Sequence, residues 1–217
     1  MLVLASASPR RQELLHNAGI SFAVQAADLD ETPLTGESAQ QCAERLAQQK
    51  ALAIWQLRRG ELILGADTVV VVDEAILGKP VDRDDAARML RLLSGRVHKV
   101  ITGVCLVAPT YTDPSRAGKG VEKNSPAVNN EDCDSKIASE TTLVTMVPIS
   151  ESEIQAYVAT GEPMDKAGAY AIQGMASRWI PRIEGDYSNV VGLPVALVYG
   201  MLREANTRRK SERFVQG

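Results

Sequence analysis

Histidine and cysteine are both scarce in this chain. His16 and His98 alone make no histidine-rich metal centre, and Cys42, Cys105 and Cys133 are too few and too scattered for a disulfide scaffold or a CxxC zinc site. An excess of positive charge is also missing. The net charge of −3 argues against a surface that wraps a nucleic acid polymer, so any anion site must be a local cluster. No apolar run approaches ~18 residues, and the N-terminus enters a strand-like LVLA with no basic-then-apolar leader, so the expectation is a soluble cytoplasmic protein with no membrane partner. Neither GxxxxGK[ST] nor GxGxxG occurs, and there is no internal repeat. What is present, 45% hydrophobic and 24% charged residues over 217 positions, is ordinary for a globular chain able to bury a substantial core.

The stretch LASASPRRQELL holds a conflict. Ser8 reads as an N-cap, Pro9 as the first helical residue and Gly19 as the stop, so a helix begins here. Its first turn exposes unpaired N–H groups and the positive end of the macrodipole, yet it carries Arg10 and Arg11. Either an anion from outside meets N–H groups and guanidinium forks together, or both arginines swing into solvent. A strand, tight turn and capped helix in succession suit a phosphate.

Further along, the pattern predicts a helix from about 38 to 58 with an apolar stripe on which Lys50 falls between Leu46 and Ile54. LILGADTVVVV reads as a buried strand containing Asp67, and AILGKP as its hairpin return ending at Lys79. A helix from about Asp84 to Leu93 and a strand VHKVITGVCLVAP follow. Residues 110 to 138 are polar, rich in Pro, Gly and Asn and without periodicity, and read as a flexible excursion between two neighbouring strands, the second resuming at ETTLVTMVPI. Ser150 and Glu153 form a capping box for a helix stopping at Gly161. A last helix spans Pro194 to about Ala205, and TRRKSERFVQG reads as a solvated basic tail.

Taken singly, Glu31 in an acidic loop, Lys50 on a stripe and Lys79 in a turn have bland explanations. An ionised Asp67 inside an apolar strand does not, because its desolvation must be offset by a cation or by hydrogen bonds. Together, Arg10, Arg11, Lys50 and Lys79 beside two carboxylates suit a polyphosphate with a hard cation held by Glu31 or Asp67.

SASPRR, Glu31, ERLAQQKA, GADTVVV, GKP, LSGRVHKVITGV, YVATGEPMDKAGAYAIQG and YSNVVGLP, in this order, resemble the Maf family of nucleoside triphosphate pyrophosphatases. The resemblance spans nearly the whole chain except residues 109 to 138 and the tail. It implies an α/β fold, Maf/ITPase-like, with an elongated mixed sheet flanked by helices and two lobes around a central nucleotide cleft. It further implies a single catalytic domain over 1–206, a polar loop insertion at about 109–138 and a basic tail over 207–217. The implied reaction is Mg²⁺- or Mn²⁺-dependent hydrolysis of a nucleoside triphosphate to the monophosphate and pyrophosphate, in nucleotide-pool housecleaning. Asp67 resembles the proton acceptor, with Glu31, Lys50 and Lys79 as further catalytic positions and Glu31 and Asp67 as metal ligands. Arg10, Thr68 and Gln173 resemble the residues that tune substrate choice, and Ser8 and Arg11 match other polar positions lining the site. MDKAGAYAIQG resembles the branch acting on dTTP, UTP and related or modified pyrimidine nucleotides, and Gln173 offers a donor and acceptors to a pyrimidine edge. A homodimer is a further implication. The alternative is a non-catalytic nucleotide-binding regulator of cell division.

Overall fold

The computed structural model describes residues 1–110 and 133–214, with side chains through Thr207. β1 (Leu2–Leu4) is followed by α1 (Pro9–Asn17), β2 (Ala23–Val24), α2 (Ala39–Leu57), β3 (Leu62–Val72), β4 (Ala75–Leu77), α3 (Arg83–Leu93) and β5 (Val97–Pro109). β6 (Cys133–Thr145), α4 (Glu151–Ala159), β7 (Arg182–Glu184), α5 (Tyr187–Val191) and α6 (Val195–Phe214) complete the order. The strands form one mixed sheet ordered β2-β1-β3-β5-β6-β7, with β4 also on β3. β1 runs parallel to β2 and β3, and the other pairings are antiparallel. This is the expected α/β architecture.

The long β-branched run of β3 is buried almost throughout, and on each of its faces the two ends of the strand serve different core clusters. Leu62, Leu64 and Ala66 pack with Leu2, Leu4, Leu15 and Val198. Val70 and Val72 pack instead with Leu77, Leu90, Ile154 and Trp179. Between these clusters the sheet has a gap. β1 pairs only with Leu62 to Leu64 and β4 only with Val70 to Val72, so neither covers Gly65 to Val69 on that side of β3. β5 pairs along the opposite side from Ile63 to Val71. The gap opens where parallel β1 ends, the position at which α/β sheets receive ligands.

Several boundaries differ from the pattern. Ser8 stands at the N-cap of α1 with extended backbone, but its hydroxyl makes no capping bond. The proposed 109–138 insertion is shorter in the structure: Pro109 still belongs to β5 and β6 already begins at Cys133, because Cys133 to Lys136 pair with Pro109 to Leu106. Backbone ladder bonds recruit polar residues on an outward-facing strand that composition marks as loop. The rest of the excursion, 111–132, lies outside the described residues. The proposed tail is also not a break, since α6 continues from Val195 to Phe214. Among the described residues no helix is long and apolar enough to cross a membrane.

His98 gives the fold an acid sensitivity. Its Nε2 lies 2.8 Å from the Tyr170 hydroxyl, its ring meets Tyr170 edge-on, and its Nδ1 is buried without a partner. Burial pushes its pKa down to about 4. Because the unfolded chain binds this proton more readily, stability falls as pH drops below ~6.5 and goes on falling to about 4, by a total of about 3 kcal/mol. Urea unfolding at pH 7 and pH 4 measures this loss. His98→Gln, which keeps a hydrogen-bonding partner for Tyr170, should remove most of the slope.

Candidate active site

The site begins with two missing side chains. A β-carbon on Gly65 would stand 2.1 Å from the Ala47 carbonyl oxygen, and one on Gly103 would stand 2.4 Å from the Ala43 carbonyl. These glycines and the alanines facing them let α2 lie directly on the sheet. Asp67 pairs with Gly103 across the ladder and projects toward the same helix, so the close approach brings Lys50 to it. Lys50 Nζ donates to Asp67 Oδ1 at 2.6 Å and to Glu31 Oε1 at 2.6 Å. Lys79, just after β4, donates to Glu31 Oε2 at 2.8 Å. The four proposed catalytic residues thus form one chain, Asp67–Lys50–Glu31–Lys79.

Its two ends differ. Asp67 and Lys50 are each only 6% exposed, so Lys50 does not snorkel to water but neutralises a carboxylate in a dry setting. Lys79 is 57% exposed at its side chain and opens the chain to solvent. Burial alone would raise the Glu31 carboxyl, but hydrogen bonds and charge from Lys50 and Lys79 outweigh it and hold Glu31 at about 2. Glu31 is therefore a permanent anion at neutral pH. Glu31 and Asp67 are hard oxygen donors on one ammonium, and among the described residues no cluster of three or more potential metal ligands occurs. That donor set fits a cation shared with substrate phosphates rather than an all-protein cage.

The N-terminal arginines part company. Arg11 turns inward and is buried: Nε donates to Gly192 O at 2.8 Å, Nη1 to Ser6 Oγ and Ala66 O at 3.1 and 2.9 Å, and Nη2 to Thr68 Oγ1 at 3.0 Å. Four of its five N–H groups are thereby engaged, one of them with a carbonyl on the uncovered stretch of β3. Burial lowers the Arg11 pKa, the charges of Asp67 and Glu31 oppose that shift, and the Arg10 charge adds to it, so all four groups share one field. Arg10 instead meets an anion supplied by the chain itself: Nη1 donates to Asp165 Oδ2 at 2.9 Å and Nη2 to Asp165 O at 3.2 Å. The helix-start conflict is resolved internally, by burial for one arginine and a carboxylate for the other.

Thr68 follows Asp67 and so points to the opposite face of β3. Its Oγ1 lies 2.9 Å from Thr102 Oγ1 and 3.4 Å from Gly192 O, and Thr102 reaches Asn189 O at 3.2 Å. Asn189 in turn donates to Val100 O and Thr142 Oγ1, both at 3.0 Å. Ser8 is half-buried beside this group, its N–H donating to Ser6 Oγ at 3.2 Å. Gln173 stands apart, exposed in the turn closed by Gly174 N–H on Ala171 O at 3.1 Å. The sequence reading missed Ser6, Thr102, Asn189 and Asp165. Asp165 alone carried a signal, as an acid in the block MDKAG.

A model of the family described as Maf-like protein matches residues 1–205. The chain belongs to the Maf family. Several proteins similar to this Maf chain are dTTP/UTP pyrophosphatases. A dTTP/UTP pyrophosphatase of Koribacter versatilis is 49% identical over 204 residues, covering 94% of each chain. One of Symbiobacterium thermophilum is 47% identical over 203 residues, covering 94% of this chain and 93% of its own. A third, of Hahella chejuensis, is 44% identical over 206 residues, covering 94% and 91%.

Proposed function

We propose that this protein hydrolyses pyrimidine nucleoside triphosphates, dTTP and UTP first, to the nucleoside monophosphate and pyrophosphate. The observation that carries the reading is Lys50 held at 2.6 Å by both Asp67 and Glu31, at the uncovered stretch of β3. Asp67 accepts a proton from, or orients, a water attacking the α-phosphorus, and pyrophosphate leaves. Lys50, Lys79 and Arg10 balance the negative charge of the phosphates, while Arg11 offers its remaining Nη2 hydrogen and otherwise braces the loop before α1. Glu31 keeps both lysines in place and stays ionised. Glu31 and Asp67 would hold Mg²⁺ or Mn²⁺ together with substrate oxygens, and the ion when bound neutralises phosphate charge. Gln173 faces the base.

The direct test is to incubate the protein with dTTP, UTP and Mg²⁺ and to identify products. Monophosphate with equimolar pyrophosphate is expected, with EDTA abolishing turnover. Diphosphate with inorganic phosphate would point to cleavage at the γ-position instead, and tight binding without products would favour the regulatory alternative. Extending the panel to CTP, 7-methyl-GTP and modified uridine nucleotides ranks the substrates.

A further inference from the structure

One tight helical turn, Glu162–Asp165, touches the Arg10 side chain and the turn that carries Gln173, the two positions outside β3 assigned to substrate choice. At its start, the Glu162 carboxylate accepts from the Tyr157 hydroxyl at 2.7 Å and from the Met175 N–H at 3.2 Å. The Tyr157 oxygen in turn accepts from the Ala171 N–H at 3.2 Å. Ala171 and Met175 flank the turn that carries Gln173, so a single carboxylate–phenol pair grips both of its ends. The grip is close: a β-carbon on Gly174 would stand 2.1 Å from Glu162 Oε1. It is also anchored, because Tyr157 is fully buried and meets Trp179 edge-on at 5.3 Å.

At the end of the same turn, Asp165 holds the Arg10 fork through both its carboxylate and its carbonyl. Lys166 ties the two ends together, donating to Asp165 Oδ1 at 2.5 Å and to Glu162 O at 2.5 Å. Charge-assisted bonds of this kind are strong and directional.

We infer that Glu162 and Asp165 are positioning residues for nucleotide selection, Glu162 fixing the turn that presents Gln173 and Asp165 fixing the guanidinium of Arg10. Neither meets the reacting atoms. The inference rests on the proposed function, in which Gln173 faces the base, and it adds that one element sets both selecting groups. A site built to hydrogen-bond one base edge rejects another only while its polar groups stay in register.

Steady-state kinetics with UTP and CTP test it, on variants shown to be folded by circular dichroism and thermal melting. Glu162→Ala should raise the KM for UTP about tenfold and lower the UTP-over-CTP preference in kcat/KM about tenfold, with kcat for UTP within about twofold. Glu162→Gln keeps an acceptor oxygen for both donors and should restore most of the preference. If Glu162→Ala does not fold, a preference that still collapses in Glu162→Gln overturns the assignment of its carbonyl-type acceptor. Asp165→Asn should raise the KM about fivefold with kcat preserved; a lower KM would mean that Asp165 competes with substrate for Arg10 and would overturn its placing role. Gln173→Ala separates the two levels. If it shifts the UTP-over-CTP ratio and Glu162→Ala does not, the positioning role fails and the proposed function stands. If it leaves the ratio unchanged, the reading of the turn fails, and this inference with it.

Discussion

Asp67→Asn should lower kcat for UTP by about 10²- to 10⁴-fold, the range expected for loss of a positioned proton acceptor. The substitution is nearly isosteric and leaves β3 and its pairing with Gly103 in place, so the fold should be kept. It removes the one carboxylate that is buried among the described residues, and an amide cannot take a proton from water at neutral pH. Lys50 keeps Glu31 as a partner at 2.6 Å. The cluster then carries one more unit of positive charge, which favours attraction of a triphosphate, so the KM should not rise if Asp67 acts as proton acceptor, whereas a raised KM would mark it as a metal ligand. Pyrophosphate release gives kcat, and thermal melting confirms folding. Turnover near the starting level would remove Asp67 from the mechanism under either of its two roles, proton acceptor or metal ligand.

Lys50→Met is expected to cost about 3–5 kcal/mol of stability as well as most activity, because it strands a buried carboxylate without its cation. Lys50 and Asp67 are both buried, so solvent screens the pair little. Double replacement separates the two losses. Lys50→Met with Asp67→Val removes both charges from an apolar surround, and urea unfolding should show that much of the lost stability returns while activity does not. The single Lys50→Met variant also reports on Glu31. With its folded pKa at about 2, below the ordinary carboxylate value of ~4.5, Glu31 contributes stability that is fully present above ~4.5 and is lost as pH falls toward 2. Removing Lys50 takes away the foremost of the two donors that outweigh burial. The midpoint of Glu31 titration, followed by carboxyl-carbon NMR, should then move upward in Lys50→Met.

The parts of this arrangement that could be read from residues alone are those in which local chemistry and tertiary demand agree. A β-branched run with one acid in it, a lysine on an otherwise apolar stripe, and a Ser–Glu capping box each admit few explanations, and β3, α2 and α4 took the expected form. Lys50 and Asp67 then had to find opposite charges, and they found each other. Arg10 and Asp165 are different: nothing local joins residues 155 positions apart, and the pairing exists only because the turn after α4 folds back over the start of α1. Arg11 bonds Ser6, while Ser8 at the N-cap of α1 makes no side-chain capping bond, and no local pattern distinguishes the two serines. The polar opening of β6 and the charged end of α6 resemble loops in composition, yet ladder pairing and helix propagation override it.

The hydroxyl pair behind the site has one more consequence. Thr102 and Thr68 each have a single hydrogen, and the carbonyls of Asn189 and Gly192 can only accept. If Thr102 bonds Asn189 O, the Thr68 hydrogen goes to Thr102; if Thr102 bonds Thr68, the Thr68 hydrogen goes to Gly192 O. Both arrangements turn the Thr68 hydrogen away from the cleft. Arg11 already fills one Thr68 lone pair, and in the second arrangement Thr102 fills the other, so only the first arrangement leaves Thr68 an acceptor site, and a group that docks there must bring the proton for the bond.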